Sequence, residues 1–407
     1  MGRSFLGIAS AWAFGLVSLS TAFAQQAQEP AQAALKAVPV SSQAFVFSPG
    51  NWTGDAGRGG ELFRQTWTSN AYFQFTWESK GKTPSAKILL DDSFPPNYRR
   101  PTVAYCIDGA WKLNCGYAAE IPVEELRGAG RHVLRVFLQR SEQVERWGSP
   151  GKSGQNVLRV KGVALDSGSE PAASKPAPNW ALIVGDSITE GIGTSGLSAY
   201  SFLVGEALRT QGYEYCVTAC GWSGWLNKGD NPPGDVPAYY FVSGSVNGKG
   251  GSYDDSASRW NKIDGNSHSL LDSAGRISGY GGKGQEPSLI LINYYTNDVL
   301  HKSNVSDVQA SMVQCLAALR KSAPDAQIVM LIPFGQFGVK AIKDAVAEHK
   351  ASVPGSKVDV IDLGPEIARS IAGKNSPMGG LHPSDRGHAY FASLIVPQLI
   401  SILNSPK

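Results

Sequence analysis

The chain has 407 residues, of which 42% are hydrophobic and 17% are charged, and its formal net charge at pH 7 is +3. That length predicts two domains rather than one small module, and the apolar content excludes a disordered or collagen-like protein. Because the charge is close to neutral and Lys and Arg form no blocks, the sequence gives no indication of nucleic-acid binding.

The first 24 residues have the pattern of a secretory signal peptide. Arg3 precedes an apolar run over residues 5–19, and small residues end the segment at Ala24, where cleavage is predicted. No later apolar run reaches the ~18 residues that a membrane span needs. We therefore expect an exported protein, periplasmic or secreted, without stable membrane insertion. Residues 25–39 are rich in Ala and Gln and are predicted to be a flexible leader.

The segment 40–166 contains short strand-like runs separated by Gly, Pro, Asn and Asp, which predicts an all-β sandwich or jelly roll. Five of the ten tryptophans fall in it, and they either fill a β core or form a sugar-binding platform. Residues 167–178 are rich in Pro, Ser and Ala and are predicted to be a linker. The predicted strands lie at residues 44–47, 71–77, 86–90, 103–107, 132–138 and 157–165.

All five cysteines lie in the part of the chain expected to be exported, where oxidation is allowed. Cys106 and Cys115 bracket an Asp-Gly turn at residues 108–109, and we predict that they form a disulfide across paired strands. Cys216 and Cys220 are four residues apart in a predicted strand and can pair only if the chain turns between them. The Cys and His spacing does not suggest zinc, so no metal site is predicted.

From residue 179 to residue 407 short apolar strands alternate with helical patterns, which predicts a doubly wound α/β domain with a parallel sheet buried on both faces. Ligands of such domains bind beyond the carboxyl ends of the strands. A Gly/Ser/Asp-rich insertion at residues 226–287 is far longer than ordinary connections and is expected to be functional. The predicted strands lie at residues 181–184, 213–218, 288–293, 327–332 and 358–361, and the helices at 200–210, 306–321, 339–350 and 385–403.

A candidate nucleophile stands at the end of the first of these strands. The GDSIT sequence at residues 185–189 places Ser187 at a strand-to-helix turn, where its hydroxyl lies near backbone N–H groups and the positive end of a helix. A serine that only caps a helix is the structural alternative. The spacing differs from the GxSxG elbow of α/β-hydrolases, and GDSIT resembles the nucleophile block of the GDSL or SGNH hydrolases.

Three further motifs follow in the order of that family. Gly-Trp-Ser-Gly at residues 221–224 is similar to its glycine block, and Thr-Asn-Asp at residues 296–298 is similar to its GxND block. Gly-Leu-His-Pro at residues 380–383 lies just before the last predicted helix, where the family keeps its base. With the elements between them, these motifs cover residues 181–403, and the resemblance implies a flavodoxin-like, three-layer SGNH fold.

The resemblance also implies a role for each matched residue. Ser187 would be the nucleophile and His382 the base that accepts its proton. The N–H groups of Ser187 and Gly224 and the side-chain amide of Asn297 would form the oxyanion hole, and the loss of one such donor typically costs about 3 to 4 kcal/mol of transition-state stabilisation. We expect no cofactor and no metal in this chemistry.

Two positions depart from the family pattern. Gly379 stands where the family has the Asp of its Asp-x-x-His block, and Tyr295 replaces the Gly of the third block. The first departure leaves a Ser-His dyad, in which a backbone carbonyl can orient the imidazole in place of the carboxylate. Asp385 and His388 form a second Asp-x-x-His pair in a shifted register, but we favour His382 as the base because residue 385 falls in the first turn of the predicted helix.

Aromatic residues near the predicted active edge indicate a groove for sugar rings. The alternative is that these aromatic side chains pack the insertion on itself. The candidates for substrate binding are Trp222, Trp225, Tyr294, Tyr295 and Trp260.

An exported β-sandwich followed by an SGNH domain with Gly at the triad acid position resembles carbohydrate esterase family 2, as does the stretch at residues 48–54. The resemblance implies deacetylation of an acetylated polysaccharide or oligosaccharide through an acyl-enzyme. Three alternatives remain: a lipid or thioester hydrolase with an apolar groove, a catalytically weakened carbohydrate-binding or exopolysaccharide-matrix protein, and a glycan acyltransferase.

Overall fold

The computed structural model describes residues 35–54, 63–142, 145, 147–148, 155–229, 236–244, 251–266, 268–279, 286–373 and 376–405. The chain forms one compact unit from Leu35 onward. The predicted signal peptide at residues 1–24 and residues 25–34 of the predicted leader lie outside the described residues.

Short antiparallel strands build the first part of the described chain. They are β1 (Lys36–Pro39), β2 (Phe45–Phe47), β3 (Arg64–Thr66), β4 (Tyr72–Ser79), β5 (Ala86–Leu90), β6 (Thr102–Ile107), β7 (Ala110–Cys115), β8 (Glu120–Pro122), β9 (Gly130–Arg140), β10 (Leu158–Leu165) and β11 (Ser169–Pro171). One sheet has the order β1-β10-β5-β8 with β3 beside β10, and the other has the order β11-β4-β9-β6-β7 with β2 beside β4.

The two antiparallel sheets share one apolar core. Side chains such as Phe75 and Val136 from one sheet and Ile88 and Val160 from the other lie in the same buried cluster, as expected of two sheets packed face to face. Four of the five tryptophans of this part are buried, and Trp111 alone among them is exposed. Trp52 and Trp77 lie in the core of the sandwich, as the core-filling interpretation expects, whereas Trp147 is buried against Cys220 and Val236. The jelly-roll connectivity stays a prediction.

Two segments expected to be irregular contain strands. Residues 36–39 of the predicted leader form β1, which pairs with β10. Residues 169–171 of the predicted linker form β11, which pairs with β4. Both are short strands at sheet edges, whose pairing depends on backbone groups and leaves little periodic side-chain signal in the sequence.

The predicted hairpin forms, but the predicted disulfide does not. Asp108 and Gly109 both have positive φ, at 49° and 92°, as a two-residue type I′ turn requires. The register set by this turn places Cys106 opposite Trp111 and Cys115 opposite Val103. The two cysteines are therefore offset along the ladder rather than paired, and all five cysteines are free thiols.

The second part of the chain is an α/β unit. Its elements are β12 (Asn179–Gly185), α1 (Ser187–Glu190), α2 (Tyr200–Arg209), β13 (Tyr213–Ala219), β14 (Val242–Ser243), β15 (Ser252–Tyr253), β16 (Leu289–Asn293), α3 (Thr296–Leu300), α4 (Val305–Ser322), β17 (Gln327–Leu331), α5 (Val339–Ser352), β18 (Val358–Ile361), α6 (Pro365–Ile371) and α7 (Asp385–Asn404). The parallel sheet has the order β13-β12-β16-β17-β18. Among the described helices, none has the length and apolar character needed to cross a membrane.

Each face of the parallel sheet is covered, which is why its strands are almost uniformly apolar. Helices α4 and α5 pack on one face, and the buried aromatic side chains of the insertion, Tyr239 and Trp260 among them, belong to the same cluster. Helices α2, α6 and α7 cover the other face, together with Tyr72 and Phe137 of the β part.

The open edge of β13 is closed by the β part. The Tyr72 hydroxyl accepts a hydrogen bond from the Tyr215 backbone N–H at 3.3 Å. The Asn51 side-chain amide donates to the Val217 carbonyl at 3.2 Å. These bonds satisfy backbone groups that an edge strand otherwise exposes, so the stretch at residues 48–54 attaches the sandwich to the α/β unit.

Candidate active site

Three neighbouring strands end side by side, and each leads into one of the sequence motifs. In the sheet register, Gly185 at the end of β12 pairs with Ala219 of β13 on one side and with Asn293 of β16 on the other. Ser187 follows the middle strand by two residues, and Asn297 follows its neighbour by four. The carboxyl edge of the sheet therefore brings the first three motifs together.

Ser187 is the first residue of α1. Asp186 caps this helix, and its side chain accepts a hydrogen bond from the Ile188 N–H at 3.0 Å. Burial raises the pKa of Asp186 to about 7. A Cβ atom at Gly185 would collide with the side chain of Thr189, so only glycine allows this tight strand-to-helix turn. The serine hydroxyl is consequently held at a helix N-terminus, where backbone N–H groups and the helix dipole favour negative charge.

His382 reaches the same point from the segment before α7. Its Nε2 atom lies 2.9 Å from the Oγ atom of Ser187. The His382 segment is folded tightly, with a hydrogen bond of 2.9 Å from the Ser384 N–H to the Met378 carbonyl. Burial lowers the pKa of His382, which favours the neutral imidazole that a general base requires.

Gly379 has a structural reason to be glycine. Its φ is +89°, and a Cβ atom there would lie 2.8 Å from the His382 carbonyl oxygen and closer still to the Ser384 nitrogen. An aspartate at this position would therefore force the His382 segment open. Among the described residues, the His382 ring has a hydrogen bond through Nε2, to Ser187, and none through Nδ1.

The shifted pair Asp385 and His388 does not form a catalytic unit. The Nδ1 atom of His388 accepts a hydrogen bond from the Tyr200 N–H at 3.0 Å, and the His388 ring is completely buried. Asp385 instead accepts hydrogen bonds from Ser198 and from the Ser195 N–H. Burial lowers the pKa of His388 to about 4. His388 is therefore a neutral packing residue, which leaves His382 as the candidate base.

The predicted oxyanion donors are only partly available. The Asn297 amide donates one hydrogen bond, to the Ser223 carbonyl at 3.0 Å, and an amide nitrogen carries a second hydrogen. The N–H of Ser187 belongs to the first turn of α1 and has no partner within that helix. Gly224 differs from the prediction, because its N–H donates to the Asn227 carbonyl at 2.9 Å.

Gly224 instead allows the second motif to lie directly against the third. A Cβ atom there would collide with the Asp298 carboxylate. That carboxylate accepts the N–H groups of Trp225, Leu226 and Asn227 at 2.8 to 3.2 Å. Asp298 thus joins the third motif to the second, and the glycine lets the two loops touch.

Tyr295 occupies a conformation that favours glycine. Its φ is +135°, which is strained for a residue with a side chain. The ring is buried against Gly338, where a Cβ atom would collide with it. Burial raises the pKa of Tyr295 to about 12, and no described residue partners its hydroxyl. The replacement of the usual glycine thus adds a buried aromatic side chain at the cost of backbone strain.

Four of the five aromatic candidates are core side chains rather than groove walls. Trp225, Tyr294, Tyr295 and Trp260 are buried in the cluster that covers one face of the sheet. Apolar burial explains their occurrence in the sequence. Trp260 packs against Tyr240 of the insertion, and all four side chains also belong to the cluster formed by the sheet, α4 and α5. Trp222 is the exception, with 39% of its surface exposed and a φ of +71°.

Two buried charged residues at the site escape detection in the sequence. Glu190 in α1 accepts a hydrogen bond from the Gly221 N–H at 2.9 Å. Arg259 of the insertion reaches the carbonyl of Gly185 at 3.2 Å. Because charged residues usually lie at the surface, a lone Glu or Arg carries no sequence signal that it is buried beneath an active site.

The assembled groups can carry out acyl transfer. A serine hydroxyl hydrogen-bonded to an imidazole can be deprotonated as it attacks a carbonyl carbon. The N–H of Ser187 and the amide of Asn297 supply hydrogen-bond donors for the oxygen that becomes negatively charged.

Solved structures with the same fold are carbohydrate esterases and an acyltransferase. A family two carbohydrate esterase from Clostridium thermocellum in complex with cellohexaose has a TM-score of 0.60 and 15% identity, and the match covers 88% of this chain and 99% of that one. The acetyl xylan esterase Est2A from Butyrivibrio proteoclasticus has a TM-score of 0.61 and 16% identity, with coverages of 91% and 98%. The salicylyl-acyltransferase SsfX3 of a tetracycline biosynthetic pathway has a TM-score of 0.56 and 15% identity, with coverages of 91% and 98%.

These coverages include the β part as well as the α/β unit, so the whole described architecture is shared. No curated protein matches the sequence. The model of the GDSL-like lipase/acylhydrolase family matches residues 183–390, which is just over half of the chain. The matched segment contains Ser187, Asn297 and His382. The chain therefore belongs to the GDSL-like lipase/acylhydrolase family and is a carboxylic ester hydrolase.

Proposed function

We propose that this protein is an exported serine esterase that removes acetyl groups from a polysaccharide or oligosaccharide. The observation that carries the proposal is the 2.9 Å contact between Ser187 Oγ and His382 Nε2 at the carboxyl edge of the parallel sheet. The carbohydrate-esterase fold and the family membership supply the class of reaction, and the residues at the site supply the steps.

In the first half of the reaction, His382 Nε2 accepts the Ser187 proton while Oγ attacks the carbonyl carbon of the acetyl ester. The negative charge that develops on the carbonyl oxygen is stabilised by the Ser187 N–H and the Asn297 amide. The tetrahedral intermediate then expels the sugar oxygen, which takes the proton from His382. The products of this half are the deacetylated sugar and an acetyl-enzyme on Ser187.

In the second half, His382 accepts a proton from water as the water oxygen attacks the acetyl carbon. The new tetrahedral intermediate collapses, Ser187 regains its proton from His382, and acetate leaves. The same imidazole is thus base and then acid in each half.

The proposal requires a dyad rather than a triad. A catalytic histidine without a carboxylate loses the charge stabilisation of its imidazolium. Burial acts in the same direction: by lowering the pKa of His382 it keeps the imidazole neutral before the reaction, and it also disfavours the imidazolium that forms during it. The tight loop that contains Gly379 holds the ring in place of a hydrogen bond to Nδ1.

A carbohydrate substrate is favoured by one exposed side chain and by the neighbours. Trp222 lies in the second motif beside Ser223, whose carbonyl is bonded to Asn297, and its exposed indole offers a flat apolar face for a sugar ring. The C. thermocellum esterase of the same fold was solved with cellohexaose. The signal-like segment at residues 1–24 supports export to a compartment where such polymers occur.

Acetate release from a panel of acetylated glycans tests the proposal. The wild-type protein should release acetate from at least one glycan, Ser187→Ala should release none, and Ser393→Ala should behave as wild type because Ser393 is an exposed serine of α7. Equal results for wild type and Ser187→Ala on every glycan would contradict the esterase and support a carbohydrate-binding protein.

A second candidate is transfer of the acyl group to a sugar hydroxyl instead of water. The similarity of the fold to the salicylyl-acyltransferase SsfX3 favours it. The same acetyl-enzyme would form, and the acceptor would enter in place of water. Incubation of wild type with an acetyl donor and an unacetylated oligosaccharide separates the two: an acetylated oligosaccharide indicates transfer, and free acetate alone indicates hydrolysis.

A further inference from the structure

A buried arginine from the insertion connects the motifs of the active site. The guanidinium of Arg259 donates to the Gly185 carbonyl at 3.2 Å, and its Nε is 3.4 Å from the Ser223 hydroxyl oxygen. It also donates to the Tyr294 hydroxyl. Gly185, Ser223 and Tyr294 belong to the ends of β12, β13 and β16 or to the loops that follow them. One side chain therefore touches all three loops that lead to the nucleophile and the oxyanion donors.

The charge of Arg259 is placed among buried acids. Arg259 is 2% exposed, and Asp186, the residue before the nucleophile, and Asp298 are both buried. Burial raises the pKa of Asp186, and the Arg259 charge opposes that rise. A buried guanidinium is costly unless nearby carbonyls, hydroxyls and opposite charges compensate it. These compensating groups are the backbone and side chains of the catalytic loops themselves.

The β-sandwich closes the other side of this arginine. Trp147, from the segment between β9 and β10, stacks over the guanidinium at 5.5 Å. The Trp147 carbonyl accepts the Gly265 N–H at 2.6 Å, and the Gly148 carbonyl accepts the Asn266 side-chain amide at 2.8 Å. The insertion is thus fastened to the sandwich at residues 265–266, shortly after Arg259 in the chain. Cation–π contacts of this kind are strongest when they are shielded from water.

We propose that Arg259, held by Trp147, is a positioning residue for the esterase reaction. It ties the Gly185 carbonyl, which precedes the nucleophile, to the hydroxyl of Ser223, whose carbonyl accepts a hydrogen bond from Asn297, so that Ser187 and Asn297 keep their spacing. The insertion and the sandwich therefore act on the chemical step and not only on the choice of substrate. This inference rests on the proposed esterase chemistry at Ser187.

The test uses the full-length protein, an aryl acetate as substrate and melting temperature as the measure of folding. We expect Arg259→Met to lower kcat by about 100-fold, the effect of a misplacement of about 1 Å in the reacting groups, with KM changed by less than about three-fold. Arg259→Lys keeps the charge but not the planar guanidinium, and its kcat should be about ten-fold higher than that of Arg259→Met.

Arg135→Met is the matched control. Arg135 is also a buried arginine stacked on aromatic rings, and it pairs with Glu206 at the junction of the sandwich and the α/β unit, away from the motifs. This variant should lose stability but keep kcat within about two-fold, because uniform destabilisation leaves the folded enzyme active. An equal loss of kcat in Arg135→Met and Arg259→Met would overturn the proposal, and so would a folded Arg259→Met enzyme with wild-type kcat.

Trp147→Ala keeps the proposal testable if Arg259→Met does not fold. This variant removes the ring that covers the guanidinium and that also packs with Cys220 and Val236, and it should lower kcat by about ten-fold. Wild-type kcat in both Trp147→Ala and Arg259→Lys would overturn the positioning role. Labelling with a fluorophosphonate, which reacts with activated serines, should slow in parallel with kcat.

The outcomes separate this inference from the proposed function. Hydrolysis of the aryl acetate without acetate release from any glycan contradicts the proposed substrate class and leaves the Arg259 comparison valid. A wild-type protein that neither hydrolyses the aryl acetate nor reacts with the fluorophosphonate overturns both.

Discussion

The Nε2 atom of His382 lies 2.9 Å from the Oγ atom of Ser187, although 195 residues separate them in the sequence. The contact depends on two tight turns, one at Gly185 before the serine and one at Gly379 before the histidine. The loop after α1 adds a third restraint, because a Cβ atom at Gly193 would lie only 3.1 Å from His382 Cβ. Glycines therefore allow the backbone to bring Ser187 and His382 together.

The first prediction distinguishes His382, which precedes α7, from His388, which lies in α7. His382→Ala should lower kcat for an aryl acetate by about 10⁴-fold or more, because the serine loses its base. His388→Ala should keep kcat within about three-fold and lower the free energy of unfolding by about 2 kcal/mol, because it leaves a cavity and an unpartnered Tyr200 N–H. Full activity in a folded His382→Ala protein would refute the assignment of the base.

The second prediction concerns the missing acid. Gly379→Asp restores the family residue in the sequence but should reduce both activity and stability, because a Cβ atom collides with the Ser384 nitrogen at φ +89°. Gly380→Asp is the control, since a Cβ atom at Gly380 would meet nothing within 4 Å and the φ of this residue is not positive. We expect a loss of several kcal/mol in the free energy of unfolding for the first variant and less than about 1 kcal/mol for the second. Increased kcat in Gly379→Asp would contradict this prediction.

Much of the α/β fold and of the contact between Ser187 and His382 can be predicted from the sequence. The strands of the parallel sheet are largely apolar runs, and two of the predicted helices start at recognisable caps. The side chain of Asn304 before α4 accepts two backbone N–H groups, and that of Ser384 before α7 accepts one. These local signals predict the principal elements of the α/β unit to within two residues. Ser187 and His382 can be identified because each stands in a short motif beside such an element.

The remainder depends on contacts between distant parts of the chain. The sequence cannot distinguish an aromatic residue in a groove from one in a core, and Trp225 and Trp260 belong to the core because the insertion folds back onto α4 and the sheet. The register of the hairpin, which separates Cys106 from Cys115, depends on backbone pairing. Helix α6 escapes prediction because it is short and only two of its seven residues are buried.

The third prediction distinguishes the exposed Trp222 from the buried Trp260. Trp222→Ala should raise KM for a polymeric acetylated glycan more than for an aryl acetate, because an exposed indole is lost and the core is unchanged. Trp260→Ala should instead lower the free energy of unfolding by about 3 to 5 kcal/mol, because a buried ring and its hydrogen bond to Tyr253 are lost. Equal changes of KM for both substrates in Trp222→Ala would contradict a sugar-binding role.

The fourth prediction concerns the buried hydroxyl of Tyr295. Because this hydroxyl has no partner among the described residues, Tyr295→Phe should raise the free energy of unfolding by about 1 kcal/mol. Tyr295→Gly relieves the backbone strain at φ +135° but removes a buried ring, and we expect a net loss of stability. Denaturant unfolding of wild type and the two variants measures the order of their stabilities. A Phe variant less stable than wild type would show that the Tyr295 hydroxyl has a hydrogen-bond partner.

The last prediction is a pH dependence of stability that arises from His388. Burial lowers its pKa to about 4 in the folded protein, whereas an unfolded histidine has a pKa of about 6.5. Between these two values the unfolded chain binds a proton that the folded protein does not, so stability is lost as the pH falls from about 6.5 toward 4. The ring cannot accept the proton without breaking its bond from the Tyr200 N–H. Burial outweighs the nearby Asp385 carboxylate, which favours the charged form, and the nearby His382 adds to the effect of burial.

His388→Asn isolates this effect, since a side-chain carbonyl can still accept from Tyr200 but does not titrate. Between pH 7 and pH 4.5 the free energy of unfolding of wild type should fall by about 2 to 3 kcal/mol more than that of the variant. Urea unfolding at both pH values measures the difference. If the free energies of unfolding of the two proteins changed equally with pH, His388 would be protonated in the folded state at pH 4.5. His388 and Asp385 would then be a candidate ion pair.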